Sequence, residues 1–144
     1  MRLVIPPPSS EATTRVMKAN RGRDTKPELA LRKALWVLGA RGYRVSYKKA
    51  PGRPDIAFPK QRVAVFCHGC FWHRCEKCNL PLPKSNVPYW REKFKRNKER
   101  DQRKIKELES SGWRTFVFWE CDLKRDPSAL AKQIVGYMDS INRK

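Results

Sequence analysis

The stretch DIAFPKQRVAVFCHGCFWHRCEKC, residues 55–78, contains the sequence signals that decide the fold of this chain. Two short apolar runs, residues 55–58 and 62–66, are separated by Pro59-Lys60-Gln61, a spacing typical of a β-hairpin. The second run is apolar enough to be the central strand of a sheet. It leads into a loop with four cysteines, both histidines of the chain and two adjacent large aromatic residues. A strand that delivers such a loop predicts a functional site at its end.

Two further segments extend the hairpin into a sheet. Residues 43–47 alternate as a strand with one solvated face, and residues 113–119 form an apolar strand that we expect to be buried. We therefore predict an α/β or α+β fold, in which a four-stranded sheet is packed against helices.

Helix signals flank these strands. Thr25-Lys26-Pro27-Glu28 is a capping box that begins a helix ending at Gly39. A long helix is predicted over about residues 89–111, and an amphipathic helix follows Asp126-Pro127.

The composition predicts a globular protein that binds nucleic acid. Lysine and arginine total 33 against 14 acidic residues, giving a formal net charge of +19 and a pI near 10.3. Basic side chains on this scale displace counterions from DNA or RNA, although a ribosomal or membrane-surface protein has the same balance. At 144 residues the chain is expected to be one domain, residues 1–144. Within it, residues 1–9 form a flexible arm and a short helix runs to about Ala19.

The sequence also predicts a location. No run approaches the roughly 18 apolar residues of a membrane span, and the N-terminal apolar stretch is too short for a signal peptide. We therefore expect the protein in the cytoplasm, at the nucleoid, with no membrane partner. Cysteines in that compartment are metal ligands more often than disulfides.

The cysteine spacing predicts a zinc site. Cys70, Cys75 and Cys78 supply three thiolates, and Cys121, at the end of the last strand, would complete a tetrahedral set. Four thiolates leave no open coordination position, so the ion would be structural. The alternative is that these cysteines only pack. Cys67 is a surplus thiol that we expect to be a small buried residue.

Asp55 is a candidate magnesium ligand. A carboxylate at the edge of a sheet, beside the end of a second strand, can hold Mg²⁺ against a scissile phosphate. The alternative is that Pro54-Asp55 only starts a turn. The adjacent strand, which delivers His68 and then His73, favours the metal site.

His73 has three interpretations: metal ligand, core histidine or general base. The cysteines can fill a zinc site without it, and a histidine with a reference pKa near 6.5 can accept a proton from water at neutral pH. His68 is expected to orient the phosphate or a metal-bound water.

The long helix carries a carboxylate on its apolar stripe. Asp101 and Asn97 fall on the face marked by residues such as Phe94 and Leu108. Because an unpaired carboxylate is costly on an inward face, we expect Asp101 to face the active centre through His68 or His73. An ordinary ion pair with an arginine is the alternative.

Phe71 and Trp72 lie between cysteines of the proposed zinc site, where inward room is scarce. Apolar wedges of this kind unstack and kink DNA. These two residues and Trp90 are therefore either a DNA wedge or part of the core.

Several motifs, taken in chain order, resemble those of the very-short-patch-repair mismatch endonucleases of bacteria: Pro51-Gly52-Arg53-Pro54-Asp55, His68-Gly69-Cys70-Phe71-Trp72-His73, Asn97-x-Glu99-Arg100-Asp101 and Gly112-Trp113-Arg114 through Trp119-Glu120-Cys121. They span roughly residues 14–125. The resemblance implies a variant of the restriction-endonuclease fold. It also implies an enzyme that nicks DNA 5′ to the thymine of a T:G mismatch left by deamination of 5-methylcytosine.

The resemblance further implies roles for single residues. Asp55 matches the metal-binding aspartate, and His73 matches the histidine proposed as general base. His68 and Asp101 match polar residues that support the metal–water network. Glu28 matches an N-terminal glutamate near the metal waters, so its capping role competes with a functional one.

Two groups of residues complete the match. Three aromatic residues match those that intercalate beside the mismatch: Phe71, Trp72 and Trp90. Three cysteines match zinc ligands: Cys70, Cys78 and Cys121.

The chain also departs from the family pattern. Cys67 stands where family members have a threonine whose main-chain carbonyl contacts the metal, and the Cys67 carbonyl can do the same. Family members place a histidine ligand near Cys75, and the loop here is one residue longer, so the fourth cysteine ligand is assigned from spacing. The Glu-x-Lys that follows the Pro-Asp strand of restriction enzymes is absent.

These features predict a Mg²⁺-dependent, strand-specific endonuclease with a structural Zn²⁺. Its expected partner is double-stranded DNA with a T:G mismatch, bound by a monomer, with mismatch-repair proteins as a further partner class. The alternatives are a zinc-stapled DNA-binding module without catalysis and a related restriction or junction nuclease.

Overall fold

The computed structural model describes residues 25–142, which form four helices and four strands. In chain order these elements are α1 (Lys26–Val37), β1 (Arg44–Val45), β2 (Ile56–Phe58), β3 (Val63–His68), α2 (Val87–Ser110), β4 (Arg114–Trp119), α3 (Glu120–Arg125) and α4 (Pro127–Asn142). No helix in this part of the chain is long and apolar enough to cross a membrane. The arm predicted for residues 1–9 and the short helix after it lie outside the described residues.

The strands form one mixed sheet in the order β1-β2-β3-β4. β1 and β2, and β2 and β3, pair antiparallel, whereas β3 and β4 pair parallel, with His68 opposite Trp119. The parallel pair requires a crossover, and α2 supplies it. Because β3 and β4 run in the same direction, the loop after β3 and helix α3 after β4 lie side by side at the same end of the sheet, where both strands finish.

Helices cover both faces of the sheet, which makes a three-layer α/β architecture. Val63 and Val65 share a cluster with Leu31 of α1 and Ile134 of α4. Alternate residues of the same strand, such as Phe66, pack with α2 on the other face. The site described below lies at the end of the sheet where β3 and β4 finish.

The predicted hairpin and the four-stranded sheet flanked by helices are confirmed, and the central position of residues 62–66 is confirmed as well. The Thr25 cap is also confirmed, since the Glu28 N–H donates to Thr25 Oγ1 at 3.4 Å.

Three details of the secondary-structure prediction were wrong. Residues 43–47 contribute only Arg44–Val45, both exposed, because Ser46 takes a left-handed φ of 47° that ends the strand. β4 is an edge strand and is buried fully only at alternate positions, Phe116 and Phe118. Helix α3, directly after β4, had no predicted counterpart.

Candidate active site and metal centre

The cysteine-rich loop after β3 is held in place from two sides. The Cys70 N–H donates to Glu120 Oε1 at 3.3 Å, which ties the loop to the first residue of α3. On the other side, the buried Asn97 of α2 donates from Nδ2 to the Trp72 carbonyl at 3.2 Å. An ion pair between Lys77 and Asp122 adds a second connection to α3. The loop is therefore positioned by the parallel strand pair and by the crossover helix.

Four thiols converge where the loop meets α3. Ligand atoms of Cys70, Cys75, Cys78 and Cys121 all lie within 4.8 Å of one another, and the Sγ atoms of Cys75 and Cys121 are 3.8 Å apart. Four sulfurs at the usual Zn–S distance in a tetrahedron lie about 3.8 Å apart. None of the five cysteines, all of which lie in the described residues, is in a disulfide. The donor set thus fits one tetrahedral zinc ion.

The loop backbone favours ionisation at one of these sulfurs. Burial acts against the Cys75 thiolate, but the N–H groups of Cys78 and Lys77 lower the pKa of Cys75 overall. Burial raises the pKa of Cys70. The thiolate is the form that binds metal. The lowered pKa of Cys75 therefore favours metal binding, whereas Cys70 would lose its proton only when a metal ion binds.

The two histidines and Asp101 form a second cluster. His73 Nδ1 lies 2.5 Å from Asp101 Oδ2, and His68 Nε2 lies 4.0 Å from Asp101 Oδ1. The imidazole rings are stacked, with centroids 4.0 Å apart and planes 5° from parallel. The prediction that Asp101 faces the histidines is therefore confirmed, although its role in catalysis stays a prediction.

The protonation of this cluster follows from its burial. Burial lowers the pKa of His68 to about 4, and the adjacent His73 acts in the same direction. His68 is therefore neutral at pH 7. When His73 Nδ1 donates to Asp101, the tautomer leaves the lone pair on Nε2 free to accept a proton.

Asp55 lies immediately before β2, next to the end of β3. The Cys67 N–H donates to Asp55 Oδ2 at 2.7 Å. Burial raises the pKa of Asp55 to about 6; the Glu28 carboxylate raises it further, while the Cys67 N–H, His73 and Lys104 lower it. These interactions place Asp55 among the charges of the loop, α1 and α2. His73 is close enough to act electrostatically on Asp55, and the predicted convergence of the two side chains on one centre stays a prediction.

Glu28 combines the two interpretations that the sequence left open. Its backbone N–H is capped by Thr25, while its side chain, 1% exposed, pairs with Arg32 at 2.7 Å on the side of α1 nearest Asp55. A buried carboxylate near Asp55 adds negative charge to the centre. The Thr25 cap of α1 is confirmed, and a functional role for the Glu28 carboxylate stays a prediction.

Cys67 is half-buried and packs against the core between the sheet and α1. Burial and the charge of Asp55 raise its pKa well above the ordinary value for a thiol. The neutral thiol agrees with the prediction of a small packing residue, and its main-chain carbonyl stays a predicted metal contact.

The predicted wedge residues form an aromatic cluster at the surface. Phe71 contacts both Trp72 and Trp90 edge-on, with centroids 5.1 and 5.7 Å apart. Trp90 is only 4% exposed and stacks on Phe94, whereas Phe71 and Trp72 are partly exposed. The Trp72 indole N–H has no hydrogen-bond partner within residues 25–142. Phe71 and Trp72 thus form the outer layer, and Trp90 supports them from below.

Three residues of the site were missed from the sequence: Arg32, Asn97 as the support of the loop, and Lys104. Arg32 follows Glu28 by four residues, a helical ion-pair spacing that was present in the sequence. Asn97 and Lys104 both fall on the inward stripe of α2, which was the available signal.

Known proteins are similar in sequence to this chain over most of its length. A family model described as DNA mismatch endonuclease Vsr matches residues 9–80. The Type II nicking enzyme V.XorIIP of Xanthomonas oryzae pv. oryzae is 42% identical over 132 residues, covering 91% of this chain and 95% of that protein. The DNA mismatch endonuclease Vsr of Escherichia coli is 39% identical over 108 residues, covering 75% of this chain and 69% of that protein. A third relative, the Type II nicking enzyme V.NmeAIP of Neisseria meningitidis, is 45% identical over 111 residues.

Proposed function

Since this chain belongs to the DNA mismatch endonuclease Vsr family and is an endonuclease, we propose that it nicks one DNA strand 5′ to the thymine of a T:G mismatch. The mismatch would arise by deamination of 5-methylcytosine, and the nick would initiate very short patch repair. The reaction would depend on Mg²⁺. The observation that supports this proposal is the 2.5 Å contact between His73 Nδ1 and Asp101 Oδ2, in a loop that also carries the aromatic pair Phe71 and Trp72.

The surroundings of Asp55 suit a hard divalent cation. Asp55 is a partly buried carboxylate whose pKa is raised to about 6 by desolvation, and the buried Glu28 adds a second negative charge nearby. A cation bound there would relieve this repulsion, and oxygen ligands are those that Mg²⁺ prefers. Asp55 and the Cys67 carbonyl would hold the ion. When bound, Mg²⁺ would supply stabilisation of the negative charge that develops on the phosphate.

The histidine pair and Asp101 would manage the proton. His73 accepts a proton at Nε2 from the attacking water, while Asp101 holds Nδ1 and stabilises the resulting imidazolium. The water oxygen bonds to phosphorus as one phosphorus–oxygen bond of the backbone breaks. His68, neutral and stacked on His73, limits the orientations of that ring.

Mismatch recognition would use the aromatic outer layer. Phe71 and Trp72 would enter the stack beside the weakened T:G pair, and Trp90 would fill the space beneath them. Unstacking one base step costs a few kcal/mol, which wider contact with the bent duplex offsets. The indole N–H of Trp72, without a partner among the described residues, loses no hydrogen bond when the side chain moves outward.

A nicking assay tests the proposal. We expect Mg²⁺-dependent cutting of one strand of a T:G duplex, little cutting of the matched duplex and none of branched DNA. Asp55→Ala and His73→Ala should each abolish cutting, whereas Asp139→Asn, which changes an exposed carboxylate on α4, should not. Cutting by Asp55→Ala at the wild-type rate would reject the mechanism.

The same assay separates the alternatives. Mismatch binding without product in any divalent metal would indicate a zinc-stapled binding module. Equal cutting of matched or branched DNA would indicate a restriction or junction nuclease.

A further inference from the structure

Lys104 is a cation in an unusual position on helix α2. The buried stripe of this helix recurs at alternating spacings of four and three residues, which is the inward face of an amphipathic helix. Its members are Trp90, Phe94, Asn97, Asp101, Lys104 and Leu108. Lysines seldom occupy such a face unless the ammonium has an anionic partner.

The stem of Lys104 lies directly over the loop that leads to Asp55. A Cβ built on Gly52 would lie 2.7 Å from Lys104 Cβ and 2.9 Å from Cγ, closer than real Cβ contacts occur. Gly52 also has a φ of 75°, so both its backbone and its lack of a side chain suit this packing. The lysine side chain therefore crosses Gly52 three residues before Asp55.

The charge of Lys104 acts on both halves of the centre. It lowers the pKa of Asp55 and also the pKa of His68. Asp101, one helical turn earlier, already holds His73. Since the stem of Lys104 packs on Gly52 and Asp101 on the same face of α2 contacts His73, the Lys104 side chain lies on the side of α2 that faces the Asp55 loop and the histidines.

Within residues 25–142 no hydrogen bond or ion pair engages the ammonium of Lys104. Asp55 Oδ2 accepts from the Cys67 N–H, and Asp101 Oδ2 contacts His73. The half-buried ammonium of Lys104 is therefore available to bind an anionic group of a ligand that enters between Asp55 and the histidines.

We infer that Lys104 is a further catalytic residue, whose ammonium binds a non-bridging oxygen of the scissile phosphate. The inference rests on the proposed placement of that phosphate beside Asp55. A fixed cation at that oxygen stabilises the extra negative charge that appears as water attacks phosphorus. Its contribution is greater in the transition state than in the bound substrate, so its loss lowers the rate at saturation more than the affinity.

The test compares Lys104→Met with Lys106→Met. The first keeps the aliphatic stem over Gly52 and removes the charge; the second removes an equal charge from an exposed position of the same helix. In single-turnover nicking with saturating enzyme, we expect Lys104→Met to be slowed by about 100-fold. Lys106→Met should stay within about threefold of the wild-type rate.

Further measurements exclude a structural explanation. Lys104→Arg retains a cation and should recover at least part of the rate, while thermal melting reports folding of each variant. Lys104→Gln, measured in parallel, replaces the Met variant if that variant melts early. On DNA with a phosphorothioate at the nicked position, the defect of Lys104→Met should shrink for one diastereomer, because the contact with that oxygen is already weakened.

Wild-type rates in folded Lys104→Met, or a loss of affinity with no change in the saturated rate, would overturn the inference. The variants are compared on whichever duplex the wild-type protein nicks. Failure to prefer T:G would therefore count against the proposed function, and not against Lys104.

Discussion

His73 and Asp101 are 28 positions apart in sequence, yet His73 Nδ1 lies 2.5 Å from Asp101 Oδ2. One residue lies in the loop after the central strand and the other lies on the crossover helix, so the contact joins two layers of the fold. The carboxylate selects one tautomer of the imidazole and leaves Nε2 as the proton acceptor. This pairing gives Asp101 a definite chemical task.

Asp101→Asn tests that task with little change in shape. The amide can donate to Nδ1, which would stabilise the tautomer with its proton on Nε2 and remove the acceptor. We expect the nicking rate at saturation to fall by about 100-fold or more, the range of general-base catalysis. DNA affinity should be little changed. Glu107→Gln, an exposed carboxylate on the same helix, is the control, and an unimpaired Asp101→Asn enzyme would contradict the orientation role.

Asp55→Asn is expected to abolish Mg²⁺-dependent nicking and to make the Mg²⁺-free protein more stable. The pKa of Asp55 rises from 3.8 to about 6 on folding, so the folded protein holds this proton more tightly than the unfolded chain. The ionised carboxylate therefore destabilises the fold above about pH 6, and the penalty fades as the pH falls toward about 4. Removing it should add about 2 kcal/mol to the free energy of unfolding near neutral pH.

Thermal melts of both proteins without added Mg²⁺ check this sign. The Asn variant should melt higher at about pH 7.5, and the difference should approach zero near about pH 4. Other groups, including His68, titrate in both proteins and cancel in the difference. A lower melting temperature for Asp55→Asn at neutral pH would show that the buried charge is already compensated.

We propose that the cysteine cluster binds one zinc ion, and loss of one thiol should then release that ion and the loop. Cys121→Ser removes a ligand that comes from α3, so the ion would no longer cross-link the loop to the end of β4. We expect bound zinc to fall well below one ion per chain and the melting temperature to drop, as chelation should also do. Cys67→Ser, which changes a thiol outside the cluster, should keep its zinc. Equal metal content in both variants would refute the assignment.

The aromatic outer layer should matter for mismatch recognition more than for stability. Trp72→Ala removes a partly exposed side chain, so we expect its cost to folding to be smaller than the about 3–5 kcal/mol of a buried aromatic. Mismatch binding should weaken by about 100-fold, since a factor of 100 corresponds to about 2.7 kcal/mol, within the few kcal/mol involved in inserting a wedge. Fluorescence of 2-aminopurine placed beside the mismatch reports unstacking, and an unchanged signal with the variant would argue against the wedge.

The sequence predicted local features of the fold well because each had a local cause. Thr25 and Pro27 define the start of α1, and the turn at Pro59 sets the hairpin register. The inward stripe of α2 also predicted that Asp101 would face the histidines. The short length of β1 could not be predicted, because the left-handed Ser46 that ends it follows from tertiary context.

Other parts of the site depend on how helices and strands that are far apart in sequence pack against each other. Nothing in the spacing of Gly52 and Lys104 indicates that one lies over the other, since that contact requires α2 to cross the sheet at a particular angle. The burial of Trp90 beneath Phe71 and Trp72 depends on the same crossing. The residue types suggested the chemistry from the sequence alone. Only the packing of α2 in the structure shows that Phe71 and Trp72 are partly exposed and that Trp90 is buried beneath them.

The pairing of His68 with Trp119 places the loop after β3 beside residues that are synthesised about fifty positions later. This arrangement determines how much of the chain must be synthesised before the site can assemble. His73 sits between Cys70 and Cys75, so the imidazole reaches its working position only after the surrounding sulfurs have gathered around residue 121, which is synthesised late. A nascent chain that ends before Glu120 lacks the fourth thiol of the cluster and the carboxylate that accepts from the Cys70 N–H, so we expect it to hold the loop with His73 less firmly. We therefore expect full nicking activity only after the strand β4 and the residues that follow it have been synthesised.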